Sequence, residues 1–262
     1  MTNPASLFCG PIMTKHSIDL KFPAITTAFW VMKICATTLG ETAGDLLSMT
    51  LQIGYAASSI LLLGFFLLTL ISQLRAKTFH PYLYWMVILS TSTAGTTMSD
   101  YMDRTLGLGY TKGSLLLVSL LVAILSLWFF LERNLSVAHI QTRRAEVFYW
   151  MAILFSNTLG TALGDFLADD SGLGFMGGAL LIGTLLLALL ALYRLTGFSR
   201  VILFWLAFIL TRPFGATMGD ILTKTPDRGG LGLGTIGSSV VLSVVLFATI
   251  WFTHRRESII SR

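Results

Sequence analysis

Four aspartates recur at equivalent positions of an otherwise hydrophobic chain. Each stands fifteen residues after a tryptophan and five residues after a glycine. The tryptophan–aspartate pairs are Trp30/Asp45, Trp85/Asp100, Trp150/Asp165 and Trp205/Asp220. An aspartate at the centre of a membrane-spanning helix costs about 2.5–3.5 kcal/mol, so intramembrane carboxylates usually have a function. The repetition predicts that these carboxylates act together, by binding a cation or by carrying protons.

Further polar side chains precede the aspartates at helical spacing. Residues four apart lie on one face of an α-helix, and stepping back by fours from each aspartate adds more oxygen atoms. These side chains form what we call the polar stripe. The candidate metal ligands on this stripe are Asp45, Asp100, Asp165, Asp220, Glu41, Asn157, Thr96 and Thr161. Carboxylate, amide and hydroxyl oxygens suit hard cations such as Mg²⁺, Mn²⁺ and Ca²⁺. The stripe contains no histidine and Cys35 lies off it, so a copper or thiolate–zinc site is not expected.

Two bases lie among these acids, and we interpret both as counter-ions or coupling residues. Lys33 occurs only in the first copy of the pattern and Arg212 only in the fourth. Two bases against five carboxylates, counting Glu41, leave three negative charges that a cation or protons would neutralise. If the first and fourth helices are neighbours, Arg212 would pair with Glu41 or with Asp45, and an incoming cation could displace it.

The elements that carry these residues are predicted to be membrane-spanning helices. Of the 262 residues, 54% are hydrophobic and 12% are charged, whereas a soluble domain has about 25% charged residues. Apolar runs of about twenty residues fit helices that cross a hydrocarbon core about 30 Å thick. We expect one membrane domain over 1–262, with a cytoplasmic segment at 1–23. The eight predicted spans are approximately 24–47, 54–74, 81–102, 110–131, 146–168, 174–193, 201–223 and 235–253.

Charge distribution predicts the orientation of these spans. Twelve lysines and arginines lie in the N-terminus, the C-terminus and the loops after the second, fourth and sixth spans. The opposite loops hold only Arg104, Lys112, Lys224 and Arg228. Because positive residues concentrate on the cytoplasmic side, both termini are expected in the cytoplasm. The bases are dispersed, so the net charge of +5 does not indicate nucleic-acid binding; membrane lipid is the expected surrounding.

The chain consists of four copies of one helix pair, at approximately 24–74, 81–131, 146–193 and 201–253. Two helices per copy make the repeats parallel, so an axis along the membrane normal can relate them. They would form a pseudo-fourfold ring or two four-helix halves. Three copies contain GxxxG, which favours close helix packing, although a glycine could also contact a ligand. The tryptophans are interpreted as interfacial anchors, with the lining of a substrate path as the alternative.

The fourfold spacing of Trp, Gly and Asp over roughly 24–254 resembles a bacterial family of uncharacterised membrane proteins. Members of that family have four tandem two-helix repeats, each with a characteristic tryptophan. The resemblance implies an all-α protein with eight helices in the inner membrane. It implies no agreed activity, so the function has to be argued from the residues.

We expect a cation transporter of the cytoplasmic membrane, exporting a hard divalent ion such as Mn²⁺ in exchange for protons. Glu41 would add a ligand or carry the coupling proton. A cation channel is one alternative, and a structural or assembly protein is another, in which the aspartates only fix the helix ends. An enzyme is not expected, because the GxSxG, HExxH and P-loop motifs and the complete Rossmann fingerprint, which requires a strand before its glycines, are absent. No cofactor is expected, and a homo-oligomer is left open.

Overall fold

The computed structural model describes residues 22–137 and 140–260, and this part of the chain is helical without strands. Most of the predicted cytoplasmic segment 1–23 lies outside the described residues. Eight α-helices occur in the described part, close to the eight predicted segments. They are α1 Thr27–Asp45, α2 Tyr55–Arg75, α3 Pro81–Asp100, α4 Gly109–Glu132, α5 Arg143–Asp165, α6 Gly174–Leu195, α7 Arg200–Thr223 and α8 Thr235–Ile260.

The repeated aspartates lie where the odd-numbered helices change geometry. Asp45, Asp100 and Asp165 are the last α-helical residues of α1, α3 and α5, and a five-residue π-helical turn follows each of them. These turns are Leu46–Thr50, Tyr101–Thr105 and Phe166–Asp170. Such turns are rare and frequently occur at functional sites. Helix α7 differs, because it continues past Asp220 to Thr223 and a short 3₁₀ helix, Pro226–Arg228, follows it.

Six helices in the described part of the chain are long and apolar enough to cross a membrane, which indicates a multi-pass membrane protein. They are α2, α4, α5, α6, α7 and α8. The other two, α1 and α3, are less apolar because they carry most of the polar stripe. Their polar side chains, including Lys33, Glu41 and Thr96, are buried against protein, so these helices do not need an apolar surface on that side.

The odd-numbered helices form the interior of the structure. Helix α1 packs against α3 and α7, and α5 packs against the same two helices, so the contacts make a closed cycle. The even-numbered helices lie outside this cycle. Each packs on the odd helix of the following repeat, α2 on α3, α4 on α5 and α6 on α7, while α8 returns to α1. Their outer faces expose large apolar side chains such as Ile60, Leu115 and Val244.

Glycines allow the odd helices to approach one another closely. The glycine five positions before each aspartate lies against the next helix of the cycle, so that an added Cβ would overlap a neighbouring atom. The closest atoms are Ser92 Cβ at 2.3 Å for Gly40, Asn157 C at 2.9 Å for Gly95, Arg212 Cγ at 2.2 Å for Gly160 and Thr37 Oγ1 at 2.3 Å for Gly215. This is the packing role expected from the GxxxG spacing, and it draws the polar stripes together.

The tryptophans occupy the end of the helices away from the aspartates, about 22 Å along each helix axis. Three of them are buried, with exposures of 2% for Trp85, 0% for Trp150 and 5% for Trp205. The interpretation as interfacial anchors is therefore wrong for these three. Their rings pack edge-on or tilted against neighbouring aromatic rings from all four odd helices. We call the following set the aromatic cluster: Phe29, Trp30, Tyr84, Trp85, Tyr149, Trp150, Phe204, Trp205 and Phe208.

Candidate functional site

The centre of the polar stripe is an ion pair between the first and fourth repeats. Arg212 Nη1 donates to Glu41 Oε2 at 3.0 Å, with 0% and 4% of the two side chains exposed. The hydroxyls of Thr96 and Thr161 donate to the same carboxylate oxygen at 3.2 and 3.1 Å. Arg212 Nη2 lies 2.6 Å from the Thr96 hydroxyl and 2.7 Å from that of Thr161. Residues from all four odd helices therefore meet here, and the predicted Glu41–Arg212 pair is present.

Lys33 lies deeper, between this ion pair and the aromatic cluster. Its side chain is fully buried, and Nζ donates to Asn157 Oδ1 at 3.4 Å. The ammonium also lies 4.0 Å from the centre of the Phe208 ring. Asn157 in turn donates from Nδ2 to the Thr91 hydroxyl at 2.8 Å. Asn157, expected as a metal ligand, thus uses its oxygen to hold Lys33.

At the other end of the stripe, two bases that we did not assign to the site bridge the four aspartates. Lys224 Nζ lies 2.9 Å from Asp45 Oδ2 and 3.1 Å from Asp220 Oδ1. The second bridge is formed by Arg104 and joins α3 to α5. Its Nε lies 3.1 Å from Asp100 Oδ1 and its Nη2 lies 3.1 Å from Asp165 Oδ2. The four aspartates are therefore arranged as two pairs, each joining neighbouring helices of the cycle.

Arg104 and Lys224 were not among the predicted site residues, because both follow the hydrophobic spans and resemble loop charges that report only on topology. Each follows the aspartate of its own repeat by four residues, so one further step along the same helical stripe would have found both. Their presence corrects the charge balance. Four bases face five carboxylates, which leaves one negative charge instead of three. The alternative pairing of Asp45 with Arg212 is wrong, because Asp45 pairs with Lys224, whose Nζ donates a hydrogen bond to its Oδ2.

Among the described residues, three carboxylates could hold one metal ion together. Glu41, Asp45 and Asp220 each offer an oxygen atom, and these atoms lie within 4.8 Å of one another. All three residues are buried. The other five predicted ligands are placed differently: Asp100 and Asp165 form the second pair, Thr96 and Thr161 donate to Glu41, and Asn157 binds Lys33.

The four aspartates and their two bridging bases form a layer that we call the aspartate level, and this layer contacts solvent through the two bases. The aspartate side chains are 2–6% exposed, whereas 19% of Lys224 and 31% of Arg104 are exposed. Both bases follow the ends of their α-helices. Burial lowers the pKa of Lys224, but the nearby carboxylates of Asp220 and Asp45 outweigh it and raise that pKa above the usual value. The same balance raises the pKa of Arg104, so both remain cationic at neutral pH.

A further carboxylate, Asp103, lies on the π-helical turn beside this level. One oxygen accepts a hydrogen bond from the Ser99 hydroxyl at 3.2 Å. The other oxygen is buried without a hydrogen bond and lies against Gly113 of α4, where an added Cβ would be 1.9 Å away. Burial raises the pKa of Asp103 to about 6. This carboxyl group therefore titrates close to neutral pH.

Comparison with known proteins identifies the repeat but no activity. A family model described as a Repeat of Unknown Function (DUF347) matches the chain four times, at residues 28–79, 83–134, 148–198 and 203–258. No curated protein matches the chain, and no solved structure does so either.

Proposed function

Since the chain belongs to the family described as Repeat of Unknown Function (DUF347), whose description names no activity, we propose a function from the site itself. The protein is a cation transporter of the bacterial cytoplasmic membrane. It exports a hard divalent ion such as Mn²⁺ and exchanges it for protons. The observation that carries this proposal is the buried group of Glu41, Asp45 and Asp220, whose oxygen atoms lie within reach of a single ion.

The chemistry of the group favours a hard cation. Three carboxylates from two neighbouring helices offer only oxygen atoms, which Mn²⁺ and Mg²⁺ prefer over the sulfur and imidazole ligands of softer metals. Glu41 is suited to couple cation and proton. Its Oε2 already accepts hydrogen bonds from Thr96, Thr161 and Arg212, which orients the carboxylate and leaves Oε1 to bind a cation or a proton.

The finer architecture also belongs to this proposal. We place all eight helices across the membrane in a pseudo-fourfold arrangement, with both termini in the cytoplasm and the aspartates toward the outer side. The closed cycle of contacts among α1, α3, α5 and α7 supports the arrangement. The bias of twelve bases against four supports the orientation. Helices α1 and α3 can cross despite their polar residues, because other helices cover those residues.

One observation favours a second candidate, a structural role for the aspartates. Each aspartate already has a basic partner within 3.1 Å, so the two pairs could serve only to clamp neighbouring helices. The two functions make opposite predictions. Loss of a carboxylate would abolish flux in a folded transporter, whereas in a structural protein it would lower stability without changing any flux.

The test is a flux measurement on purified protein in liposomes. We expect the wild type to move Mn²⁺ with a counter-movement of protons, reported by a metal-sensitive dye and a pH-sensitive dye. Glu41→Gln and Asp220→Asn should lose at least nine-tenths of this flux. Asp170→Asn is the matched control, because Asp170 is an exposed carboxylate of the same end of the molecule, and it should retain the wild-type rate.

Two results would contradict the transporter. The first is folded wild-type protein that moves none of Mn²⁺, Mg²⁺, Ca²⁺ and Na⁺. The second is unchanged flux in Glu41→Gln and Asp220→Asn. A deletion strain grown across a panel of cations provides an independent test, since an exporter should protect the cell from the cation that it removes.

A further inference from the structure

The two bridged aspartate pairs have the same plan but different bases. Arg104 of the second repeat joins Asp100 to Asp165, and Lys224 of the fourth repeat joins Asp220 to Asp45. In both cases the base lies four residues after the aspartate of its own repeat and reaches the aspartate of the next helix in the cycle. The difference between the two bases is therefore a difference within otherwise equivalent positions.

Arg104 is held at several points. Its Nε and Nη2 contact the two aspartates, and its Nη1 donates to the Tyr55 hydroxyl at 3.1 Å. The rings of Tyr55 and Tyr110 flank the guanidinium, with centres 5.9 and 5.8 Å away. A planar guanidinium with three differently directed contacts is fixed in orientation. To release its aspartates it would have to break all of these contacts together.

Lys224 is attached more simply. One nitrogen atom at the end of a flexible four-carbon chain contacts both carboxylates. Both bases reach solvent, with 19% of Lys224 and 31% of Arg104 exposed, so the difference between them lies in how they are attached. An ammonium is a compact and strongly hydrated point charge, so moving outward would exchange its carboxylate partners for water. Its position between Asp45 Oδ2 and Asp220 Oδ1 is also one from which a small cation could reach both oxygens.

In the described part of the chain, a third carboxylate lies within metal-binding reach of the pair bridged by Lys224, and no such group forms at the pair bridged by Arg104. Glu41 completes the group with Asp45 and Asp220. At the equivalent positions of the second and third repeats stand the hydroxyls of Thr96 and Thr161. Lys224, the base that has fewer attachments, therefore contacts two members of the one carboxylate group among the described residues that could hold a metal ion.

We infer that Lys224 is a tethered competitor of the transported cation, whereas Arg104 is a permanent clamp. This inference rests on the proposed transport function and names the residue that sets its affinity and charge selectivity. In the empty protein the ammonium neutralises Asp45 and Asp220. A cation entering from the outer end displaces it toward solvent, and the ammonium returns when the cation leaves.

Charge balance indicates which cations can displace Lys224. When the five carboxylates of the polar stripe and the four bases are all ionised, they carry one net negative charge; Asp103, beside them, is not part of this count. If the ammonium moves out, three bases remain, and a divalent cation then brings the site to neutrality. A monovalent cation would only restore the single negative charge. Since uncompensated charge is unfavourable in a buried site, the exchange favours a divalent cation.

The test compares Mn²⁺ binding to detergent-purified wild-type protein and to Lys224→Met and Arg104→Met. Binding is followed by the loss of the electron paramagnetic resonance signal of free Mn²⁺. Removing an internal competitor raises the fraction of protein that is competent to bind, so Lys224→Met should lower the Kd at least tenfold. Its melting temperature should also rise more on addition of Mn²⁺ than that of the wild type. Arg104→Met should melt at a lower temperature than the wild type and bind no more tightly.

Each outcome has a defined meaning. Wild-type binding with no tightening in Lys224→Met would overturn the inference and leave the transport function standing. Equal tightening in Arg104→Met would also overturn it, because the two bases would then be equivalent. Absence of binding in folded wild type and in both variants would refute the proposed function itself. If Lys224→Met does not fold, Lys224→Arg decides: a guanidinium should bridge both aspartates more firmly and weaken Mn²⁺ binding, and unchanged binding would contradict the competitor role.

Discussion

Breaking the buried pair of Glu41 and Arg212 should destabilise the protein far more than removing both charges together. Arg212 is fully buried and its guanidinium faces one carboxylate oxygen at 3.0 Å and two hydroxyls at 2.6 and 2.7 Å. Arg212→Met would leave Glu41 as an uncompensated buried charge, and Glu41→Gln would leave Arg212 in the same situation. Each such loss of one partner costs about 3–5 kcal/mol.

The double variant Glu41→Gln/Arg212→Met removes both charges at once. Replacing both members of a buried ion pair is often close to neutral, although the Thr96 and Thr161 hydroxyls lose a partner here. We expect the double variant to lie within about 2 kcal/mol of the wild type. The single losses sum to about 6–10 kcal/mol, so this corresponds to a coupling energy of about 4 kcal/mol or more, above the range of about 0.5–3 kcal/mol that is usual for residues in contact, because the pair is buried.

The assay is reversible unfolding in mixed micelles with increasing sodium dodecyl sulfate, followed by tryptophan fluorescence. The buried rings of Trp85, Trp150 and Trp205 provide the signal. Arg144→Met is the control, because Arg144 is exposed near the start of α5 and should change the stability by less than about 0.5 kcal/mol. If the single losses simply add in the double variant, Glu41 and Arg212 do not interact and the central ion pair is wrongly placed.

The close packing of α1 on α3, the hydrogen bond within the aromatic cluster and the buried carboxyl group of Asp103 can each be tested by a single substitution. Gly40→Ala should lower the free energy of unfolding by about 1–3 kcal/mol, because its Cβ would overlap α3. Gly64→Ala is the control: the position has open space around it, so this change should be neutral or stabilise by up to about 1 kcal/mol. Equal effects of the two changes would argue against the close approach of α1 and α3. Tyr84→Phe or Tyr149→Phe should each cost about 1–3 kcal/mol, because each leaves the other hydroxyl of a 2.7 Å buried hydrogen bond without its partner; the double variant should recover most of this, and additive losses would contradict the bond. Asp103→Asn should be the more stable protein at pH 7 by about 1 kcal/mol, and the advantage should vanish near pH 4. The pKa of Asp103 is raised to about 6 in the folded state. As the pH rises from about 4 to 6, this carboxyl group ionises in the unfolded chain but not in the folded protein, so the wild type loses stability. Melting curves of both proteins over this pH range test the prediction, and a difference that stays constant with pH would show that the carboxyl group is not buried.

The helices were predictable because hydrophobic runs of membrane length are a strong signal. Their observed bounds lie within three residues of the expected ones, except that α8 continues to Ile260 and not to 253. The polar stripe was equally readable, since positions four apart must share a helix face. The Glu41–Arg212 pair followed from the assumption that the first and last repeats are neighbours. The helices and the stripe needed no knowledge of how the helices pack, whereas the ion pair needed that one assumption about packing.

The features that could not be predicted are those that depend on which helices pack against one another. The tryptophans looked like interfacial anchors because an aromatic residue at a helix end reads the same whether its ring points to lipid or to a neighbouring helix. Arg104 and Lys224 were assigned to loops because the hydrophobic run ends before them, although the helical path continues far enough to turn them inward. Hydropathy does not show which repeats contact one another, so it could not distinguish a ring of four repeats from two four-helix halves.

The return of α8 to α1 has a consequence for biogenesis. Of the eight described helices, α1, which carries Lys33, Glu41 and Asp45, leaves the ribosome first, and two of its neighbours, α7 and α8, leave it after the other six. Until α8 has been synthesised, the nascent chain therefore holds these three charged side chains without the final surroundings of α1. The packing around α1 can be completed only after α8 has been synthesised, and a chain that stops before α8 would leave one side of α1 uncovered and open to quality-control proteases.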